Sequence, residues 1–426
     1  MVSDIKGDFV SEFIKVGDLN GDGAPDLLFV QSTHATRAIT CLTATTICGK
    51  VLWQIGAPSL ENGRLYSDLP VQVYDWDSDG RNEVLYVKQA IYAEPLLTGG
   101  WAVERARRYE GEATMIVLDA ATGQEKRRFS IPAPADDSFL FADLTGRGRR
   151  QDLVVKDRYW NMWGVAHSGE TLWQWTGSTG HCPAIGDVDG DGCDEVFVGF
   201  ALIDQDGREL FRLDDHGAHQ DAATVTQRAD GQWLLAFGNG GAHCLLPDGR
   251  VLWEHPLAEA QHIVAGRFSA DSALQFAVLD RGQPRDPKQR GGERTPATLY
   301  LYDADGREIW RRLQPEGSWC AAIVGVNWLS PREARGCDPQ QILVYSRGAE
   351  QPVAVIDGQG EVVDLLEPPA RDGQGRALDC YGMRADVWGD GRDEVILFGC
   401  SGARVYANAR PFMLPTHYNQ TLYPGM

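Results

Sequence analysis

Four copies of one short acidic pattern constrain this chain more than any other feature. The template is Ile185-Gly-Asp187-Val-Asp189-Gly-Asp191-Gly-Cys-Asp-Glu195-Val-Phe-Val, an apolar strand end, a D-x-D-x-D-G turn, then a β-branched strand. The pattern returns at Asp18-Leu-Asn20-Gly-Asp22-Gly-Ala-Pro-Asp26, at Asp75-Trp-Asp77-Ser-Asp79-Gly-Arg-Asn-Glu83 and at Asp386-Val-Trp388-Gly-Asp390-Gly-Arg-Asp-Glu394. Degenerate copies keep the frame and lose the acids, at Asp143 to Gln151 and at Arg267 to Gln275, the latter through Asp271. Two looser copies start near Val225 and Val326.

The copies lie 38 to 68 residues apart, enough for one four-stranded blade each. A second signal completes each unit. Asp-Gly turns join alternating apolar runs, as in Leu202-Ile-Asp-Gln-Asp-Gly-Arg-Glu-Leu-Phe211, Leu246-Pro-Asp-Gly-Arg-Val-Leu-Trp253 and Tyr300-Leu-Tyr-Asp-Ala-Asp-Gly-Arg-Glu-Ile-Trp310. Asp-Gly between such runs specifies a hairpin. The Trp and Phe at fixed places are expected to wedge between neighbouring blades as core. The expected fold is therefore all-β, a β-propeller of eight four-stranded blades, or seven if one loose copy is an insertion, spanning residues 1–426 as one domain. The last repeat shows only two clear strands after its loop. Its outer strand must come from the first residues or from the tail, Met413 to Met426, which would close the ring and remove the exposed edges.

Oxygen ligands at alternate positions around a glycine turn suit a calcium ion, and the acid eight residues on would close its shell. The candidate ligands are Asp18, Asn20, Asp22 and Asp26; Asp75, Asp77, Asp79 and Glu83; Asp187, Asp189, Asp191 and Glu195; and Asp386, Asp390 and Glu394, where Trp388 replaces one ligand. The ion's expected role is structural, pinning the two inner strands.

Because the acidic loop joins the innermost strand to the second, the loops leading into the first and out of the second lie on the opposite face. Six residues before each loop stand Glu12, Leu69, Asp137, His181, His219, Gln261, Cys320 and Cys380, with His262 after Gln261. The exits of the second strands carry Lys88, the run Lys156-Asp157-Arg158-Tyr159-Trp160, Asn239, Asp280-Arg281 and Arg347. The third to fifth blades thus bring Lys156, Arg158, Tyr159, His181, His219 and Asn239 towards one locally basic mouth. Each has a plain alternative as a loop or packing residue.

The basic patch is notable because the chain holds 60 acidic and 40 Lys or Arg residues, a net charge of −20. That balance excludes nucleic-acid binding by bulk electrostatics. No apolar run reaches membrane-spanning length, so no membrane partner is expected. Nine cysteines without a C-x-x-C pair argue against a zinc ribbon. Cys41 and Cys48 could bridge one hairpin, but free thiols are the simpler reading. With no charged-then-apolar leader, the expectation is a cytoplasmic monomer, or a secreted or periplasmic one if a signal has been removed.

The run Asp152-Leu-Val-Val-Lys-Asp-Arg-Tyr159, then Trp173-Gln-Trp, Thr179-Gly-His181, the Asp187 loop and His219-Gln-Asp-Ala222 resembles bacterial FG-GAP (VCBS-type) repeat propellers grouped with rhamnogalacturonan lyases and ulvan lyases. The blade pattern covers nearly the whole chain, and the functional resemblance covers about residues 150–225. It implies a lyase that cleaves a uronic-acid-containing polysaccharide or oligosaccharide by β-elimination. On that reading Arg158, with Lys156 or Asn239, neutralises the uronate carboxylate. His181 or His219 removes the proton, and Tyr159 or the other histidine protonates the leaving oxygen. Trp160, His262 and Arg281 join Asn239 as substrate contacts. Three other readings compete: a non-catalytic sugar-binding propeller, an adhesion module, and a glycoside hydrolase using two of Asp137, Asp157 and Asp221.

Overall fold

A computed structural model describes residues 1–34, 36–65, 68–89, 112–216, 218–270, 273–286, 294–318, 321–330, 339–347, 353–369 and 380–410. Cys320, Asp271, His417 and the tail from Met413 lie outside these residues.

Eight four-stranded antiparallel sheets follow one another around a ring. Blade 1 shows the plan: Ile14–Gly17, Asp26–Ser32, Ile39–Thr45 and Val51–Gly56 run from the channel to the rim. The second strand is buried at all seven positions, whereas the outer strand is mostly exposed or half-buried. That gradient is what a blade sandwiched between two others and open at its rim requires. Inner strands crowd the channel. A side chain on Gly17 would come within 2.5 Å of Val73 in the next blade, and one on Gly186 within 2.9 Å of Val225.

The apolar core is divided into eight clusters, each shared by two neighbouring blades. The fixed aromatics form the wedges that the sequence calls for. Trp53, Trp173 and Trp310 donate their indole N–H to carbonyls of the following blade, Ala120 at 2.6 Å, Gln205 at 2.7 Å and Gly358 at 2.8 Å. Each ring lies over the glycine of the next blade's turn. A Cβ on Gly207, whose φ is +85°, would sit 2.8 Å from Trp173. Asp-Gly is thus needed twice, for the left-handed turn and for the aromatic above it.

The eighth blade contains Tyr381–Ala385, Glu394–Gly399 and Gly402–Tyr406, and its outer strand is Ser3–Ile5 from the start of the chain. The first residues therefore close the ring. Cys41 and Cys48 are unbridged. Among the described residues, no helix is long and apolar enough to cross a membrane.

Seven blades share one loop device. The residue after the first loop position donates its N–H to the side chain that opens the second strand. The pairs are Leu19 to Asp26, Trp76 to Glu83, Leu144 to Asp152, Val188 to Glu195, Phe268 to Gln275, Trp328 to Gln341 and Val387 to Glu394. This explains how blades 6 and 7 keep the frame with glutamine in place of an acid. It also moves two loop positions. In blade 7 the donor is Trp328, so the loop begins at Asn327, one residue after Val326. In blade 5 the inner strand runs Ala222–Gln227 and the turn follows at Arg228. Val225 is inside the strand, because this hairpin extends further and turns more tightly.

Candidate active site at the ring mouth

The mouth is built where blade 3 meets blades 4 and 5. Strand Asp152–Lys156 of blade 3 ends in a turn held by Asp157, whose carboxylate accepts the N–H groups of Tyr159 at 3.2 Å, Trp160 at 2.7 Å and Asn161 at 2.9 Å. The Tyr159 turn is pinned to the loop before blade 4 by Thr179 N–H to the Tyr159 carbonyl, 2.8 Å. His181 on that loop donates its own N–H to the carbonyl of Gln220, 3.0 Å, beside His219. Three blade edges are thereby fixed against one another.

The side chains converge. His181 Nδ1 is 2.9 Å from Asp137 Oδ2, and its Nε2 is 3.4 Å from the Tyr159 hydroxyl and 3.9 Å from Asp221 Oδ1. His219 Nε2 is 3.3 Å from Asp221 Oδ1, and the two imidazole centroids are 5.1 Å apart. Arg158 Nε donates to the Tyr159 hydroxyl at 2.9 Å and its guanidinium lies 3.8 Å from Asp136 Oδ2. Asp137 accepts on one side what Asp136 does on the other. Asp137 and Ser138 both have positive φ, +57° and +73°, a backbone that side-chain-bearing residues adopt at a cost. The twist lets two adjacent acids face different partners.

Burial alone would push the Asp137 carboxyl up, but Lys156, His181 and Arg158 outweigh it and hold Asp137 well below the usual range. A carboxylate on Nδ1 fixes the imidazole so that Nε2 faces the mouth. Lys156 is buried. Its ammonium is 3.7 Å from Asp137 Oδ2 and donates to the carbonyls of Asp157 at 3.2 Å and Arg158 at 3.0 Å, so it supports the site from behind.

The remaining candidates lie around this cluster. Trp160 packs edge-on to Tyr159 at 6.3 Å. Asn239 is half-buried in the turn after Trp233–Gly238, next to the residue that pairs with Ala222. Arg281 is tied to Glu259 at 2.9 Å and Gln261 at 2.8 Å. His262 lies on the far side, where burial, then Arg347, pushes its imidazole down to about 4. Below the mouth, a cavity of about 110 Å³ is lined by inner-strand residues such as Lys15 and Phe139, by Asp68, Asp137 and Cys182 in the segments leading into inner strands, and by Lys156 at the end of the second strand of blade 3.

Sequence reasoning gave no role to Asp136 or Arg37. Arg37, in the loop after Asp26–Ser32 of blade 1, forms a buried ion pair with Asp136. It reaches past blade 2 to do so, and no local pattern marks such a contact. The sequence marks Asp137 by position, six residues before a loop, and Asp221 only as one of three acids open to a hydrolase. Asp157 spends its carboxylate on the Tyr159 turn, and His181 stands between Asp137 and Asp221. The three acids therefore do not form the open facing pair that a hydrolase uses.

Two kinds of cation site can be tested by fit. Nitrogens of His181 and His219 with a carboxylate oxygen of Asp221 lie within 4.8 Å of one another, a set able to hold a divalent metal. On the opposite face, Asp187, Asp189 and Glu195 also cluster within 4.8 Å. One Glu195 oxygen takes the Val188 N–H at 2.7 Å, while the other is buried without a hydrogen-bond partner. Burial, with Asp189 and Asp191 adding to it, pushes this carboxyl up to about 7. The loop therefore fits a cation. At the Asp386 loop Arg392 already pairs with Asp390, 3.3 Å.

No family model matches the chain. The rhamnogalacturonan endolyase YesW of Bacillus subtilis (strain 168) is 24% identical over 451 aligned positions, which span 93% of this chain and 67% of that protein. Among solved structures, rhamnogalacturonan lyase YesW superposes with a TM-score of 0.61 at 18% identity, over 94% of this chain and 72% of that one. The Bacillus licheniformis rhamnogalacturonan lyase PL11 gives 0.62 at 19%, with the same coverage. The biofilm matrix protein Bap1 of V. cholerae gives 0.59 at 14%, over 96% of this chain and 88% of that one. The chain is similar to all three in fold, and two of them are named as lyases.

Proposed function

We propose that this propeller is a polysaccharide lyase that cleaves a uronate-containing glycan of the rhamnogalacturonan class by β-elimination. The observation that carries the reading is the linked set Asp137, His181, Tyr159 and Arg158 at the mouth, with His219 and Asp221 alongside. β-Elimination removes the proton beside a carboxylate and then breaks the C4–O bond. His181, oriented by Asp137, presents Nε2 as the base. Tyr159 delivers a proton to the leaving oxygen, and the Arg158 donor on its hydroxyl suits the negative charge left behind. The uronate carboxylate is met by Arg158 and Asn239, while Trp160, His262 and Arg281 contact neighbouring sugars. The similarity to proteins named rhamnogalacturonan lyases supports the substrate class.

We also propose structural calcium in the Asp187 loop, held by Asp187, Asp189 and Glu195, and in the Asp18 loop. There the ion would tie the turn to the inner strands, away from the chemistry.

A second reading follows from the His181, His219 and Asp221 set. A divalent cation bound there would neutralise the carboxylate, and His181 would then be a ligand and no longer the base. Incubation with rhamnogalacturonan, ulvan and gum arabic fragments, with calcium present, would show an absorbance rise from the unsaturated uronyl product. His181→Ala and His219→Ala are each expected to lower that rate by about 10²–10⁴-fold. Full activity in both variants would overturn the site. Loss of activity on chelation, restored by metal in the parent and not in His219→Ala, would favour the metal reading.

A further inference from the structure

The Asp75 loop carries four acids, as many ligand acids as the Asp187 loop, yet a protein ammonium already lies among them. Lys126 is the second residue of the outer strand Glu125–Ile131. Its ammonium lies 2.7 Å from Asp77 Oδ2, 2.7 Å from Glu83 Oε1 and 3.6 Å from Asp79 Oδ2. Glu83 Oε2 meanwhile accepts the N–H of Trp76 at 2.9 Å. In the Asp187 loop the same arrangement leaves the second oxygen of Glu195 without a partner. The atom that seeks a cation in blade 4 is therefore satisfied by the protein's own ammonium in blade 2.

The register shows that this is a substitution at one defined place. In the outer strands Trp53, Trp173, Phe211, Trp253 and Trp310 pair with Ala44, Gly164, Leu202, Cys244 and Leu301, each beside a bulge. Arg127 pairs with Val117 in the same way in blade 2. The residue just before the pair is Leu52, Leu172, Leu210, Leu252 or Ile309 in those five blades, and Lys126 in blade 2. Several of the aliphatic residues are exposed at the rim, Leu172 at 39% and Ile309 at 45%. The extended lysine stem carries its charge from this position into the loop, and an ammonium has three donors for the oxygens it meets there. Asp75 is the one acid of the set that Lys126 does not touch. Its Oδ2 takes the Gly80 N–H at 3.2 Å, and its Oδ1 is buried without a hydrogen-bond partner.

We propose that Lys126 is the resident cation of the second blade, so that this loop holds no divalent ion although its sequence reads as a calcium loop. The blade between Arg37 and Asp136 would then keep its shape when calcium is withdrawn.

Calcium bound per folded chain, measured on the full-length protein by equilibrium dialysis, tests this directly. Asp77→Asn is expected to leave the count unchanged. Lys126→Met frees the loop and is expected to add one ion, which Asp77→Asn in the same chain removes again. A count that falls by one in Asp77→Asn alone would overturn the proposal, whether or not Lys126→Met folds. A folded Lys126→Met with an unchanged count would overturn it too, since the ammonium would then not be standing in for an ion. Neither outcome depends on the lyase reading, because no sugar enters the assay.

Discussion

His262 shows how a single side chain at the mouth is set by its surroundings. Burial acts first on this imidazole and Arg347 reinforces it; Asp221 pulls the other way, and Arg281 adds the smallest push. The folded protein thus takes up the proton near pH 4, the unfolded chain near 6.5. Above pH 6.5 both states are neutral and His262 contributes nothing to pH dependence. Between 6.5 and 4 the unfolded state binds the proton first, so folding loses stability as pH falls. His262→Gln stays uncharged throughout and is expected to flatten that limb, read as a smaller fall in urea midpoint between pH 7 and pH 4.5 than in the parent chain. An unchanged fall would mean that His262 is freely hydrated. At this scale much of the site was legible. His181 and His219 could be placed at one mouth by counting back from the loops, and Arg158 and Tyr159 by following the second strand to its exit, because antiparallel pairing puts both ends on one face. Arg37 and Asp136 could not, because their pairing depends on how far a blade 1 loop reaches in space. The inward role of Lys156 was hidden as well, since sequence does not show that its donors are spent on the Asp157 and Arg158 carbonyls.

The repeated element is a turn whose acid does two jobs. One oxygen of Glu195 receives a backbone N–H, and the other faces the Asp187 and Asp189 cluster. Gln275 and Gln341 perform only the first job in blades 6 and 7. Two substitutions therefore separate the roles. Glu195→Gln keeps an acceptor for Val188 and loses the cation ligand. Its melting temperature is expected to rise less with calcium than the parent's, since the Asp18 loop is unaltered. Glu195→Ala also strands the buried Val188 N–H and is expected to cost about 1–3 kcal/mol more in denaturant titration without calcium. Equal calcium responses in Glu195→Gln and the parent would remove the ion from this loop. The strong copies were readable because the acids advertise them. The weak ones slipped by one residue at Asn327 and by three at Arg228, where the capping glutamine or a tighter turn left no acid to count from.

At the scale of the whole ring, the number of repeats set the architecture, and the open question in the sequence was how the last blade obtains its fourth strand. The first residues provide it. Ile5 is 2% exposed within the cluster that joins blades 8 and 1, alongside Phe29, Phe398 and Val405. Val2 donates its N–H to the Val405 carbonyl at 2.7 Å, and Ser3 to Ile5 pair with Val405 to Ala403. Three residues of pairing, with the apolar cluster around Ile5, therefore close a ring whose blades otherwise pack on their sequence neighbours, the Arg37–Asp136 pair across blade 2 apart. Removing this seam exposes the edge of Gly402–Tyr406 and opens one of eight interfaces at once. Ile5→Ala is expected to cost about 2–5 kcal/mol, the range for a buried aliphatic cut back to alanine, and to lower the whole unfolding transition in one step. Deletion of residues 1–5 is expected to do more and to favour self-association through the unpaired edge, visible in sedimentation. If Ile5→Ala instead splits the transition, with most of the ring melting as before, the blades hold their neighbours without closure. The mouth of blades 3 to 5, on the far side of the ring from the seam, would then keep its geometry in the opened chain.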